Sequence, residues 1–163
     1  MPSRVDFIRE QGFTTQGCQE GLYSALMFQP RVIAGFVISS VVLQSPWLFL
    51  ALSTVLWWSA LVPSHNPFDA FFNHVMADPL RLAVMPAAPL PRRFSQAMAG
   101  TLAMSIAMTL FAGASRAAWL LEGVFVAASI SVVVRRFCLP AHVYHLLWSR
   151  APAMPCPAAP GRV

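Results

Sequence analysis

Four blocks of nearly uninterrupted apolar sequence fill the middle of this chain, and charged residues lie almost entirely between them. The blocks are Val32–Leu43, Trp47–Val62, Phe94–Phe111 and Ala117–Val134. Charged residues make up 10% of the chain, against about a quarter in a typical soluble domain, and hydrophobic residues make up 57%. A single small core could not hide so much apolar surface from water. The sequence therefore predicts an integral membrane protein.

The first two blocks are divided by Gln44, Ser45 and Pro46. A continuous helix over Val32–Val62 would be about 46 Å long, well beyond the hydrocarbon core of roughly 30 Å. Ser45 suits a helix N-cap and Pro46 suits the first helical turn, so we predict a tight hairpin whose first arm extends back toward Pro30 or Met27. The last two blocks form a second hairpin across residues 113–116. The predicted fold class is all-α: four transmembrane helices in two hairpins.

All eleven basic residues are arginine. With four spans, ten of them lie on one side of the membrane, whereas three spans divide them seven to four. The positive-inside rule therefore favours four spans, with both termini cytoplasmic. Because the arginines flank apolar blocks, we expect them to meet membrane lipids and not nucleic acid. The predicted lipid-interface side chains are Arg92, Arg93, Arg135, Arg136, Trp47, Trp57 and Trp58.

A short amphipathic segment follows the second block. Asn66 and Pro67 form another pair of helix-starting residues. An apolar stripe at helical spacing comprises Phe68, Phe71, Phe72, Val75 and Met76, and the opposite face carries Asp69, Asn73 and His74. The pattern predicts a helix over about 67–78 that lies in the cytoplasmic membrane interface. A helix docked on a protein partner is the alternative.

The domain organisation follows from these segments. We predict a cytoplasmic N-terminal segment over residues 1–26, a membrane domain over 27–150 and a disordered tail, rich in proline and alanine, over 151–163. Rows of small residues let helix backbones approach closely, and each of the last two spans carries one, so these spans are expected to pack together. The rows are Ser95, Ala99, Ala103 and Ala107 in the third span, and Gly123, Ala127 and Ser131 in the fourth.

Glu122 is the only carboxylate inside a predicted span, and no other span supplies it with a partner. An ionisable group at this depth is a functional hypothesis by default. Three interpretations remain open: a structural or interfacial role, a partner contact or buried polar bond, and ion or proton handling.

Cys138, His142 and His145 follow the last span at helical spacing, so they would share one face. One thiol and two imidazoles could bind a metal or a tetrapyrrole. Against this, no acidic partner is in sight, and basic, aromatic, histidine-containing sequence is ordinary at a membrane edge. We predict no cofactor, metal site or catalytic residue, and leave open a pigment or haem at a partner interface.

Several short motifs occur in a distinctive order. They are Phe28-Gln29-Pro30-Arg31-Val32, Ser45-Pro46-Trp47, Pro91-Arg92-Arg93-Phe94-Ser95-Gln96 and Phe137-Cys138-Leu139. In this order and spacing the chain resembles, over about residues 27–147, a bacterial four-helix membrane family known as domain-of-unknown-function family 4395. Its last motif is usually Phe-Cys-x-x-Cys, and some members are joined to thioredoxin-like domains, which implies a thiol-redox role for those members.

The chain departs from that pattern at Ala141, which replaces the second cysteine. A dithiol mechanism needs a second sulfur to resolve the mixed disulfide, and the other cysteines, Cys18 and Cys156, are distant in sequence. We therefore expect a non-catalytic accessory or scaffold subunit that packs against other membrane-protein subunits, for example of an electron-transfer or photosynthetic complex. The alternatives are a thiol-redox partner using Cys138 and a small transporter using Glu122.

Overall fold

The structure, a computed structural model, describes residues 3–14, 20–77, 85–148 and 153–155. Seven α-helices occupy these residues: α1 (Arg4–Glu10), α2 (Glu20–Leu43), α3 (Pro46–Leu61), α4 (Pro67–Phe72), α5 (Leu90–Phe111), α6 (Ser115–Arg135) and α7 (Leu139–Leu147). A 3₁₀ turn (Pro63–His65) follows α3, and a π-helical turn (Asn73–Ala77) follows α4. The described part of the chain contains no strand, only an isolated bridge between Phe13 and Met154. The all-α prediction is confirmed.

Three of the described helices are long and apolar enough to cross a membrane: residues Leu22–Leu43 of α2, all of α5 and all of α6. The remaining apolar helix, α3, has 16 residues. At 1.5 Å per residue it is about 24 Å long, which is less than the roughly 30 Å of a hydrocarbon core.

The predicted break between α2 and α3 lies where the sequence places it. Gln44 adopts a left-handed conformation with φ of 45°, and Pro46 occupies the first turn of α3. The Ser45 side chain makes no capping hydrogen bond, so the turn depends on backbone geometry and on the proline. The helix before the turn begins at Glu20, earlier than predicted, and continues through Pro30.

The four apolar helices form a bundle whose most extensive contact joins α3 and α5. In addition, α5 packs on α6, α6 packs on α2, and α2 packs on α3. Its core consists of Val37, Phe49, Leu52, Leu56, Ala103, Ile106, Ala107 and Phe125. The helices α3 and α5 approach each other closely at Gly100, where a Cβ atom would stand 2.9 Å from Cδ1 of Trp57. Ser53 donates a hydrogen bond of 2.8 Å to the carbonyl oxygen of Gly100. Here α3 and α5 touch backbone to side chain.

The last two spans pack together as predicted, since α5 contacts α6, but the two small-residue rows do not meet each other. Ala103 and Ala107 are fully buried, but they belong to the core that large α3 side chains fill. Gly123 and Ala127 of α6 are exposed. The helix α6 buries a different side, made of Ala118, Glu122 and Phe125, while Ser95, Ala99 and Ser131 are half-buried. The large side chains of α3 already occupy the small face of α5, so α6 approaches with its other side.

A second layer of short helices, the cap layer, covers the end of the bundle where α5 begins and α6 ends. Its apolar cluster joins α1, the first turns of α2 and the segment around α4: Phe7, Ile8, Phe13, Leu22, Ala25, Leu26, Met27, Phe72 and Met85. Backbone hydrogen bonds tie Met154 to Gly12 and Thr14, at 2.9 and 2.8 Å. The tail predicted to be disordered is described only at residues 153–155, and its other residues lie outside the described part of the chain, as do Cys18 and Cys156.

The amphipathic segment is helical over residues 67–77, close to the predicted range, but it is oriented differently than predicted. Asn66 caps α4 as expected, its Oδ1 accepting from the Phe68 backbone N–H at 3.1 Å. The α-helix changes to a π-helical turn after Phe72. Asp69, assigned to the polar outer face, is buried, whereas Phe71 is 53% exposed. The reason is a long-range ionic partner for Asp69, described next.

Candidate functional site

Arg92, in the first turn of α5, is buried in the cap layer, only 4% exposed. Its Nη2 donates to Oδ1 of Asp69 at 2.6 Å and its Nη1 donates to Oδ2 of Asp69 at 3.2 Å. Such a two-point contact matches the guanidinium fork to the carboxylate. The prediction that Arg92 faces lipid headgroups is therefore wrong, because α4 supplies a carboxylate that satisfies the charge inside the protein.

The Arg92–Asp69 pair extends toward α3 through Asn66. The Nδ2 of Asn66 donates to Oδ2 of Asp69 at 3.0 Å, and Ser59 of α3 donates to Oδ1 of Asn66 at 3.2 Å. Asn66 thus caps α4 and also holds the carboxylate in position. The buried charge is surrounded by hydrogen-bond partners, as a charge inside a protein requires.

On the other side, the network reaches α2 through Gln29. Nη2 of Arg92 donates to Oε1 of Gln29 at 2.6 Å, and Nε2 of Gln96 donates to the same oxygen at 3.2 Å. Because that oxygen already accepts from Arg92, only the N–H group of Gln96 can face it. The amide orientation of Gln96 is therefore fixed, and its Oε1 is directed away from Gln29. Among the described residues, no group donates to Gln96 Oε1, and the residue is 4% exposed.

A cavity of about 120 Å³ lies between α2, α5, α6 and the start of α7. Polar side chains on its wall include Gln29, Arg92, Ser95, Gln96, Ser129 and Cys138, and apolar ones include Leu56, Ala99, Phe125 and Val132. Most ligand sites have this character, an apolar enclosure with a few placed polar groups.

Cys138 lies on this wall, at the N-cap of α7, and is 7% exposed. Its thiol donates to Oγ of Ser95 at 3.5 Å, and its backbone N–H donates to Oε2 of Glu10 at 3.1 Å. Burial raises the pKa of the Cys138 thiol, and the hydrogen bond with Ser95 offsets this only in part. A buried thiol with a raised pKa is a poor nucleophile, because the thiolate is the reactive form.

The two histidines do not converge with Cys138. Nδ1 of His142 lies 3.9 Å from Oε1 of Glu10, and Nε2 of His145 lies 3.0 Å from the backbone oxygen of Glu10. They line a separate cavity of about 500 Å³ beside α1, whereas the thiol faces Ser95. Within the described ranges, no three His, Cys, Asp or Glu residues are grouped to hold a metal ion.

Glu10 is the acidic neighbour that sequence reasoning missed. It contacts both the start of α7 and its histidines, although 128 positions separate it from Cys138. Burial raises the pKa of Glu10, while the Cys138 N–H and the two histidines pull that pKa down. Only the packing of α1 on α7 reveals this contact, because nothing in the local sequence connects them.

Glu122 lies in α6 and is 1% exposed. Its Oε2 accepts a hydrogen bond of 3.0 Å from Nε2 of Gln44, in the turn between α2 and α3. Its Oε1 receives no donor from the described residues. The expectation that no span supplies a partner overlooked this turn, which packs beside α6. The contact is a buried polar bond to a neutral side chain.

The other predicted interface residues are distributed around the bundle. Nε of Arg93 donates to the backbone oxygen of Ala60 at 2.8 Å, and the guanidinium of Arg136 stacks 5.5 Å from the ring centre of Tyr23. Arg135 is exposed. Trp47 and Trp58 are 68% and 54% exposed, while Trp57 is 38% exposed.

An all-helical bundle, with three helices suited to crossing a membrane and a cap of short helices, is the architecture of a helical membrane protein. Residues 24–149 match the family described as a domain of unknown function (DUF4395). The chain belongs to this family, which confirms the resemblance inferred from its motifs. No match was found among curated proteins or among solved structures.

Proposed function

We propose that this protein is a non-catalytic accessory subunit that packs through α6 against a larger membrane complex. The observation that carries the proposal is the outward position of Gly123 and Ala127. A Cβ atom at Gly123 would meet no atom within 4 Å, so the backbone of α6 is open to close approach. In lipid, small residues at a helix surface favour association by packing. Large exposed apolar side chains flank the row: Trp119, Leu120, Val124, Ile130 and Val134.

The buried polar groups support a structural role over the two alternatives. The thiol-redox alternative needs a reactive thiolate and a second sulfur, but the pKa of the Cys138 thiol is raised and Ala141 stands in place of the second cysteine. The transport alternative needs a relay, but Glu122 pairs with the neutral Gln44. The Arg92–Asp69 pair is enclosed by its own hydrogen bonds.

In the proposed topology all four apolar helices cross a bacterial inner membrane and both termini are cytoplasmic. Local thinning of the bilayer accommodates a span as short as α3 at a modest cost. The cap layer then faces the cytoplasm, together with ten of the eleven arginines, and Arg116 faces the opposite side. Attaching a membrane-impermeant label to single cysteines at positions 90 and 116 of a cysteine-free variant tests this. Labelling of position 116 alone in intact cells is expected, and labelling of position 90 would refute the topology.

Native mass spectrometry of the protein extracted in mild detergent tests the proposed function. We expect partner subunits at fixed stoichiometry in the wild type and their loss in Gly123→Leu, because the larger side chain blocks close approach to α6. Gly35→Leu is the matched control, since Gly35 is also exposed, lies in α2 and has no atom within 4 Å of its Cβ position. A wild-type protein that appears only as a monomer or homodimer would refute the proposal.

A further inference from the structure

Two arginines from different parts of the chain contact one tyrosine ring in the cap layer. Cζ of Arg4, in α1, lies 5.2 Å from the ring centre of Tyr23, and Cζ of Arg136, directly after α6, lies 5.5 Å from the same centre. The π face of a tyrosine attracts each guanidinium group, but it does not neutralise either charge. One ring therefore holds two like charges near each other, an arrangement that an anion in contact with both would stabilise.

The part of the chain that the structure describes supplies no counter-charge for this pair. None of its ion pairs includes Arg4 or Arg136, and neither guanidinium donates a hydrogen bond to a described residue. The two acidic side chains of α1 have other partners, since Asp6 accepts hydrogen bonds from Ser3 and Glu10 accepts one from the backbone at the start of α7. The guanidinium N–H groups are thus free for an external acceptor, and their fork geometry suits a phosphate group.

The position of the pair along the bundle corresponds to the surface of a membrane. Tyr23 is the second residue of the α2 segment that is long and apolar enough to cross a membrane, and Arg136 directly follows the corresponding segment of α6. Both residues therefore lie where these spans would leave the hydrocarbon core, at the depth of the lipid headgroups. Tyrosine and arginine are typical of this depth.

Exposed apolar side chains adjoin both arginines in sequence. Val5 follows Arg4 and is 47% exposed, while Val134 is 60% exposed and precedes the exposed Arg135. A free phosphate ion gains nothing from apolar neighbours, whereas a phospholipid presents hydrocarbon chains next to its phosphate. The combination of arginines and exposed valines therefore favours a lipid over a soluble anion.

We propose that Arg4 and Arg136, held by Tyr23, bind the phosphate group of an anionic phospholipid beside the ends of α2 and α6. This site is independent of the outer face of α6 and goes beyond the accessory role proposed above. The attraction between an arginine and anionic lipid corresponds to about a fivefold change in affinity, so two arginines account for about thirtyfold.

Native mass spectrometry of the full chain in mild detergent tests the proposal. Phosphatidylglycerol, or phosphatidylcholine with the same acyl chains, is added, and bound lipid is counted at each concentration. The wild type should prefer phosphatidylglycerol, and Arg4→Gln/Arg136→Gln should bind it about thirtyfold more weakly. The matched control is Arg9→Gln/Arg116→Gln, which removes one exposed arginine from α1 and one from α6. Screening by salt should keep its effect below about twofold.

Two further measurements keep the test decisive if the double variant fails to fold. Arg4→Gln alone changes an exposed position and should weaken binding of phosphatidylglycerol about fivefold, while Arg9→Gln alone should leave it nearly unchanged. A large molar excess of inorganic phosphate should not displace the lipid from the wild type. Displacement would assign the site to a soluble anion and overturn the proposal, as would equal affinity of the wild type for the two lipids or an unchanged affinity in Arg4→Gln.

Discussion

Arg92 donates hydrogen bonds to both carboxylate oxygens of Asp69, at 2.6 and 3.2 Å, and so links α4 to the first turn of α5. Both side chains are nearly enclosed by protein, with 5% and 11% of their surfaces exposed. Because of this pair, α4, whose sequence pattern is typical of an amphipathic surface helix, forms part of the cap layer over the bundle. Its Coulombic attraction is hardly screened, because water is excluded.

We expect Asp69→Asn to destabilise the protein by about 3–5 kcal/mol, because it leaves the Arg92 guanidinium buried without its counter-charge. Thermal unfolding in detergent, followed by circular dichroism, measures the effect. Arg135→Gln serves as the control, since Arg135 is exposed and its loss should change stability by no more than about 0.5 kcal/mol. The double variant Arg92→Met/Asp69→Leu should lose less than Asp69→Asn alone. Equal stability of Asp69→Asn and Arg135→Gln would refute this account.

Gly100 and Gly35 should respond in opposite directions to alanine. At Gly100 the new Cβ would lie 2.9 Å from Cδ1 of Trp57 and 3.3 Å from Cβ of Leu56, so Gly100→Ala forces α3 and α5 apart. Overpacking of this kind typically costs about 1–3 kcal/mol. At Gly35 there is open space, and alanine should stabilise α2 by roughly 0.5–1 kcal/mol. The same unfolding assay checks both, and a stabilising Gly100→Ala would contradict the observed packing.

Gln44, in the turn between α2 and α3, donates a hydrogen bond to Glu122 of α6, and the stability of the protein should depend on this donor. Gln44→Leu leaves Glu122 buried with neither carboxyl oxygen receiving a donor from the described residues, so we expect a loss of at least about 1–3 kcal/mol. Glu122→Gln keeps an oxygen for Gln44 and should be tolerated far better. Comparison of the two unfolding temperatures tests the idea. A larger loss in Glu122→Gln would indicate that the carboxyl group does more than accept this bond.

Alkylation of Cys138 should be slow near neutral pH. Burial raises the pKa of its thiol above the ordinary value of 9.0, so the reactive thiolate is scarce until the pH exceeds that value. In a Cys18→Ser/Cys156→Ser variant, the rate of reaction with iodoacetamide should still be rising at pH 9, and unfolding the protein should accelerate the reaction at pH 7.5. A rate that reaches its plateau below pH 8 would show a reactive thiolate and would support the thiol-redox alternative.

Glu10 should make the protein less stable as pH rises. Because burial raises its pKa above the ordinary value of 4.5, the native state favours the protonated, neutral form. The stabilisation is complete below pH 4.5 and is lost as pH rises through the higher native pKa. Wild type should therefore lose stability relative to Glu10→Gln over this range. His142 faces the carboxylate of Glu10 and His145 faces its backbone oxygen, and both histidines lower the pKa of Glu10, so their double asparagine variant is the appropriate background control. An opposite slope would refute the assigned direction.

Local sequence determined the helices and several of their ends. Apolar runs predicted the four bundle helices, and Pro46 and Asn66 marked the starts of α3 and α4 where the structure has them. These features depend on backbone dihedral angles, capping hydrogen bonds and the need to satisfy polar backbone groups in lipid, all of which act within a few residues. The family motifs were likewise readable without coordinates.

Tertiary structure decided which polar side chains are enclosed and which helix faces meet. Arg92 looked like a headgroup contact until Asp69 and Gln29 were brought to it from two other helices, and Glu10 had no visible link to α7. The small residues Gly123 and Ala127 of α6 face outward, because side chains of α3 already fill the small-residue face of α5. Burial of a charge is favourable only when partners distant in sequence converge on it, and no local pattern encodes that convergence.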